Sequence, residues 1–281
     1  MAILKVGDDS LLHDIYIPEL PSLSEQYVIS NEQKKYFQEH GHIHLKGVAS
    51  REEVQYFRPY ILDTMWSHYV ESEDRSSPYS KAFIEVTNLW SKSMVVRKFV
   101  LAKRFARIAS DLLDANGVRL RADTAIFKEP GGGPTPMHQD QMSWSLETDK
   151  VIGMWMPLID LTEDIGSMTF YSGTHKWGDI SRLSTQEVLK KMKSGVKEVN
   201  YGVLELGDVT IHNGWTMHSA PPNRSKRMRE VIAMSYFADN TRISDPGDNR
   251  FAQQGLERYF PGLKPGDIAA SELTPLVYME S

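Results

Sequence analysis

The residues of this chain whose types and spacing could do chemistry are His138-Gln139-Asp140, a distant His218, and Arg229, eleven residues beyond that histidine. Two histidines and one carboxylate are the donor set that holds non-haem Fe(II) on one face and leaves the opposite face open to oxygen and a cosubstrate. His138 and Asp140 are two apart, so in an extended segment both side chains project from one face, as co-ligands must, while Gln139 points away. A lone His-x-Asp is more often a hydrogen-bonded pair in a loop, so the spacing alone does not make it a metal site. By spacing, His212 is a rival to His218 as third ligand. The remaining histidines, His13, His40, His42, His44, His68 and His175, have no carboxylate at ligand spacing and read as structural or exposed.

The elements that must position these residues are legible around them. Ser30 with Gln33, and Ser50 with Glu53, form capping-box patterns that start two helices. Gly41 ends the first, and His42-Ile43-His44-Leu45 alternates as a short strand. A third helix is expected from about Ser93 to Ala115, with Gly117 just past its end. From Val118 the character is β, with strands expected near 118–128, 151–160, 167–171, 203–212 and 229–238, one helix near 185–193 and another near 251–260. The Pro130-Gly131-Gly132-Gly133-Pro134 loop delivers His138 and Asp140 at a strand edge. Asn213-Gly214 marks a turn, and Pro221-Pro222 forbids further pairing, so His218 sits at a strand end.

The last strand places Arg229, Val231, Ala233, Ser235 and Phe237 on one face and Ile232, Met234 and Tyr236 on the other. An arginine heading a face of small residues suits a cavity holding a dicarboxylate, since guanidinium pairs with carboxylate through two parallel hydrogen bonds. The far carboxylate of 2-oxoglutarate is one such anion; a structural salt bridge is the alternative. Arg227 shares the parity of Arg229, and parity does not separate them. The expected architecture is mainly β with flanking helices: a single domain with a helical N-terminal layer, about 30–116, on a β core, about 118–239.

Composition narrows the class. With 281 residues, 41% hydrophobic and 25% charged, the chain has the make-up of a globular protein with a sizeable core. Cysteine is absent, so disulfide scaffolds, thiolate sites and cysteine nucleophiles are excluded. A net charge of −5 argues against a nucleic-acid partner. Lys190, Lys191, Lys193 and Lys197 read as a solvated helix face. The first residues, Met1 to Asp9, show no cationic-then-apolar signal and no window is long and apolar enough to span a membrane, so a cytoplasmic location is expected. Oligomeric state is not legible.

Assembled, these residues resemble the phytanoyl-CoA dioxygenase family of Fe(II)/2-oxoglutarate oxygenases. The resemblance runs through Phe127-Lys128-Glu129-Pro130-Gly131, His138-Gln139-Asp140-Gln141-Met142-Ser143-Trp144 and Gly166-Ser167-Met168-Thr169-Phe170-Tyr171-Ser172-Gly173-Thr174-His175-Lys176. It continues through Gly207-Asp208-Val209, Thr216 to Arg224, and the Pro261-Gly262-Leu263-Lys264-Pro265-Gly266 tail. It implies a double-stranded β-helix, or jelly roll, with His138, Asp140 and His218 as iron ligands and Arg229 as the anchor of 2-oxoglutarate. It also implies O2 as oxidant, Thr124, Trp155 and Lys128 around the cosubstrate, and decarboxylation of 2-oxoglutarate to succinate and CO2.

Relatives often carry a serine two residues past the distal histidine, where this chain has Ala220, so that hydrogen bond would fall to Ser219 or Ser235. Asp140 stands where halogenating relatives need a small residue, which disfavours halogenation. The expected substrate is a small, largely apolar metabolite that is hydroxylated or desaturated, with Trp144, Met142, Trp215, Phe83 and Trp90 as candidate pocket residues. An acyl-CoA substrate, a non-catalytic jelly-roll binding protein, and a cupin-type enzyme without 2-oxoglutarate are the competing readings.

Overall fold

The computed structural model describes residues 21–71 and 77–280; His13 and the Met1–Asp9 stretch lie outside them. The helical layer opens with α1 (Asn31–His40), followed by β1 (His42–Leu45) and α2 (Arg51–His68). Both capping boxes are formed: Gln33 N–H donates to Ser30 Oγ at 3.2 Å and Ser30 N–H to Gln33 Oε1 at 2.8 Å, and Ser50 and Glu53 repeat the exchange. Gly41, in the left-handed region, closes α1. Next come α3 (Pro78–Ala82) and β2 (Ile84–Thr87).

The long helix expected from Ser93 to Ala115 is two, α4 (Met94–Val100) and α5 (Lys103–Leu113). The reason is the phase of the apolar stripe. α4 buries Val96, Phe99 and Val100, and one continuous helix would carry Lys103 and Arg107 onto that stripe, whereas Arg104, which is buried, pairs there with Glu53. Breaking at Leu101 and Ala102 lets Phe105, Ile108, Ala109 and Leu112 face the core instead. Asp114, not Gly117, is the left-handed cap of α5.

The β region comprises β3 (Gly117–Lys128), β4 (Thr135–His138), β5 (Val151–Pro157), β6 (Thr169–Tyr171), β7 (Glu198–Asn200), β8 (Val209–Asn213), β9 (His218–Ala220) and β10 (Arg229–Ala238). Helix α6 (Thr185–Lys193) lies between β6 and β7, and α7 (Arg250–Tyr259) and β11 (Leu276–Met279) complete the described chain. α6 buries no residue, in keeping with a solvated lysine face. A larger antiparallel sheet runs β1-β8-β5-β10-β3-β11, with β2 also pairing β3, and a smaller one runs β4-β9-β6-β7. Facing antiparallel sheets of this kind make a jelly roll.

The alternation along β10 divides the core. Ile232, Met234 and Tyr236 pack outward with the aromatic cluster of Phe57, Phe99 and Phe105 from α2, α4 and α5, each such buried side chain contributing about 1.5–3 kcal/mol. Val231 and Ala233 face inward with Trp155 and meet Phe170 and Ala220 of the smaller sheet. Ala122, Trp144, Val151 and Phe237 meet Tyr259 and Phe260 where α7 closes one end. Among the described residues, no helix is long and apolar enough to cross a membrane.

Candidate active site

The mouth of the sandwich holds a cavity of about 400 Å³ between the two sheets. His138, the last residue of β4, pairs across the sheet with His218, the first of β9, and Asp140 opens the helical turn that follows. One ligand atom from each of His138, Asp140 and His218 lies within 4.8 Å of the others. Gln139 points away, its side-chain amide donating to the carbonyls of Gly178 and Trp215.

Local hydrogen bonds fix which atoms face the common centre. His138 Nδ1 lies 2.8 Å from the Pro136 carbonyl and His218 Nδ1 lies 3.0 Å from that of Thr216, so each ring donates there and turns Nε2 inward. Asp140 Oδ2 accepts from His212 Nε2 at 3.1 Å, while Oδ1 sits 3.3 Å from His138 Nε2 and 3.7 Å from His218 Nε2. His212 therefore orients the carboxylate from behind, and Oδ1 completes a set of two nitrogens and one oxygen.

The electrostatics match that arrangement. Burial pushes His218 down to about 3, with His212 adding to the effect, so the ring is neutral as a ligand must be. Burial alone would raise the Asp140 carboxyl, but His218, His138 and His212 hold it well below the usual carboxylate range. Burial also works against protonation of His138, yet the hydrogen bond and charge of Asp140 raise it overall. A divalent cation at the centre would replace that shared proton. The residues thus fit Fe(II).

Arg229 opens β10 on the inward face and is 3% exposed. Its guanidinium carbon lies 5.5 Å from the Trp155 ring centroid and Nη1 donates to the Gly166 carbonyl at 3.3 Å, but Nε has no partner. Burial lowers it to about 10, which leaves it charged at neutral pH. No carboxylate of the described residues pairs with it, so the cradle fits the free carboxylate of 2-oxoglutarate. Arg227, the parity rival, is exposed on the preceding loop.

Thr124, Trp155, Trp144 and Phe83 line this cavity, as do Ser219, Ala220 and Ser235. Lys128 faces the same side as Thr124 but ends elsewhere: Nζ donates to the carbonyls of Gly133 and Pro221 and to Thr135 Oγ1, tying the glycine-rich loop to the exit of β9. Trp215 is half-buried away from the cavity and donates Nε1–H to Asp149 Oδ1 at 2.9 Å. Trp90 belongs to the helical core beneath Arg97, and Met142 lies beside α7, its carbonyl accepting from Asn249. The cavity wall also includes Glu85, Thr87, Arg121, Arg258 and Tyr259, which sequence reasoning missed. The alternation Ile84-Glu85-Val86-Thr87 was a legible strand signal for the first two.

The phytanoyl-CoA dioxygenase (PhyH) family profile matches residues 37–231. The chain is 25% identical over 180 residues to a protein named probable alpha-ketoglutarate-dependent hypophosphite dioxygenase from Stutzerimonas stutzeri, over 59% of this chain and 61% of that one, which is less than two thirds of its length. It is 22% identical over 218 residues to a 2-aminoethylphosphonate dioxygenase of an uncultured bacterium, HF130_AEPn_1, covering 74% of this chain and 81% of that one. In fold it is similar to the crystal structure of the non-heme alpha ketoglutarate dependent carbocyclase SnoK from nogalamycin biosynthesis, with a TM-score of 0.76 at 24% identity over 89% of this chain and 97% of that one. The matched core carries the histidine-carboxylate centre and the buried arginine described above, and the chain belongs to the phytanoyl-CoA dioxygenase family of Fe(II)- and 2-oxoglutarate-dependent oxygenases.

Proposed function

We propose that this protein oxidises a carbon of a small, largely apolar molecule, holding Fe(II) with His138, Asp140 and His218 and anchoring 2-oxoglutarate with Arg229. When bound, Fe(II) and 2-oxoglutarate supply an oxidant for unactivated C–H bonds as O2 is consumed and 2-oxoglutarate gives succinate and CO2. The observation that carries this reading is the placement of Arg229, a buried cation with an unpaired Nε, in the same cavity wall as the three donors.

The chain's own residues divide the remaining work. His212 holds Asp140 Oδ2, and the carbonyls of Pro136 and Thr216 hold the two ligand rings, so the donor set is in place before the metal arrives. Trp155 backs the Arg229 guanidinium and excludes water from its carboxylate partner. Ser219 and Ser235 stand in the wall where the hydroxyl absent at Ala220 is wanted. Phe83 and Trp144 supply apolar wall, and a volume of about 400 Å³ suits a small substrate.

The helical layer and the larger sheet share one core, which supports one oxygenase domain. A cytoplasmic location accords with the cysteine-free composition. The test is succinate formation from 2-oxoglutarate by purified protein in air. Succinate that requires Fe(II) and O2 and is lost in Asp140→Asn supports the reading; none above the metal-free blank contradicts it.

A further inference from the structure

Strands β3 and β10 pair residue for residue from Lys128 opposite Arg229 to Ala122 opposite Ser235; the next pair is Leu120 with Tyr236. Arg121 is therefore an extra residue that β10 does not oppose. A bulge of this kind re-aims the inserted side chain. By unbroken alternation Arg121 would share the face of Asp123 and Ala125, toward the helical layer; instead it lines the cavity with Ala122 and Thr124.

There Arg121 is 6% exposed, with its guanidinium carbon 4.4 Å from the Trp144 ring centroid and 4.3 Å from that of Tyr259. Both rings lie against the guanidinium, Tyr259 also reaches it with its side chain, and Nε has no partner. No carboxylate of the described residues forms an ion pair with it. Leaving a buried cation without an ion pair is strongly unfavourable. Arg258, exposed at the cavity rim, lies over the same Tyr259 ring at 5.6 Å and donates to Thr87 Oγ1. Glu85, on β2, is exposed at the cavity mouth.

One cavity thus contains two buried arginines, Arg121 and Arg229, that form no ion pair among the described residues, Arg121 feeling Asp140 only at longer range, and the cosubstrate supplies an anion for one of them. We propose that Arg121, with Arg258 at the rim, receives an anionic group of the substrate, so that the substrate class is small apolar acids, bound by a carboxylate or a similar oxyanion. This rests on the oxygenase reading above and narrows it. The bulge is the device that makes the subsite: it turns one cation through the sheet to the side where Fe(II) is held, on the same strand that presents Thr124.

The test compares cyclohexanecarboxylate, octanoate and adamantanecarboxylate with their primary amides, by calorimetry under nitrogen on protein loaded with Fe(II) and 2-oxoglutarate. The visible band of the Fe(II)–2-oxoglutarate chelate is read in the same samples. The wild type is expected to bind at least one acid about ten-fold or more tightly than its amide, as a charge-assisted pair should. Arg121→Gln is expected to erase that preference with the chelate band unchanged, and Arg121→Lys to keep part of it. The inference is overturned if no acid binds, if acid and amide bind alike, if Arg121→Gln keeps the preference, or if it weakens 2-oxoglutarate instead. Should Arg121→Gln fail to fold, the wild-type comparison and Arg121→Lys decide. A wild type without the chelate band sinks the oxygenase reading itself; a normal band with no acid preference sinks only this inference.

Discussion

His138 and His218 face each other across the β4–β9 pair with ring centroids 4.2 Å apart, and each ring donates Nδ1–H to the backbone carbonyl two residues before it. The two histidine rings are oriented by the same local device on two different strands, and the β4–β9 register sets their separation. Asp140, the third member of the proposed donor set, is fixed differently, by a side chain of the opposite sheet: His212 of β8.

That difference gives the first prediction. His212→Ala frees Asp140 Oδ2 and is expected to weaken Fe(II) binding by about 10- to 100-fold while leaving a detectable metal complex, the usual size of losing a partner behind a metal ligand. His212→Asn, which can still donate, should recover part of it. Metal titration with Co(II) as a spectroscopic probe reads both. Complete loss of binding in His212→Ala would make His212 a ligand and overturn the assignment of its role.

Arg229→Gln keeps hydrogen-bond donors and removes the charge. The expected cost is about 2 to 4 kcal/mol, or roughly 30- to 1000-fold in KM for 2-oxoglutarate, because a buried carboxylate loses its charged partner. Iron affinity without 2-oxoglutarate should change by less than about three-fold, since Arg229 makes no contact with the three donors. Steady-state succinate formation and metal titration separate the two effects.

Asp123 supplies a pH prediction independent of the metal. Burial raises its carboxyl from 3.8 to about 7, against the backbone N–H groups of Trp90 and Leu89, which lower it. The folded protein therefore binds more protons than the unfolded chain between about pH 4 and 7, so stability falls as pH rises through that window and the cost is complete above it. The cost is about 1 to 4 kcal/mol. Asp123→Asn should flatten this part of the stability curve, as read by thermal unfolding at pH 5 and pH 8. An unchanged slope would show that Asp123 is ionised across the range.

Gly255 brings α7 against the turn that carries Asp140. A Cβ there would lie 2.6 Å from the Ser143 carbonyl oxygen, so Gly255→Ala must lift the helix from the cavity wall. Overpacking of this kind costs about 1–3 kcal/mol. The expected result is a KM for substrate raised about ten-fold with iron and 2-oxoglutarate binding intact, measured by coupled and uncoupled succinate formation. Loss of metal binding instead would place α7 in support of Asp140 itself.

Much of this was legible in the chain. Capping boxes announced α1 and α2, and the period-two pattern of β10 sorted Arg229, Val231 and Ala233 from Ile232, Met234 and Tyr236, because one face meets helices and the other a cavity. The α4–α5 break was hidden because neither Pro nor Gly marks it; only the phase of the buried stripe does. Arg121 was hidden because a bulge reverses the parity on which facing is read, and the bulge is set by the partner strand. Lys128 shares a face with Thr124, but face alone does not tell how far a long side chain reaches, and its amine ends in the loop. Trp90 and Trp215 are aromatic for packing and for a bond to Asp149, uses that composition does not distinguish from a pocket.

The most direct measurement is anaerobic titration of the metal-free protein with Fe(II) and then 2-oxoglutarate, following the visible charge-transfer band of the chelate in wild type, His218→Ala and Arg229→Ala. A band in the wild type that is absent in His218→Ala, and that needs far more 2-oxoglutarate to develop in Arg229→Ala, is the predicted result. A wild type that develops no band at saturating Fe(II) and 2-oxoglutarate, or a band that survives His218→Ala unchanged, would contradict the assignment of the site.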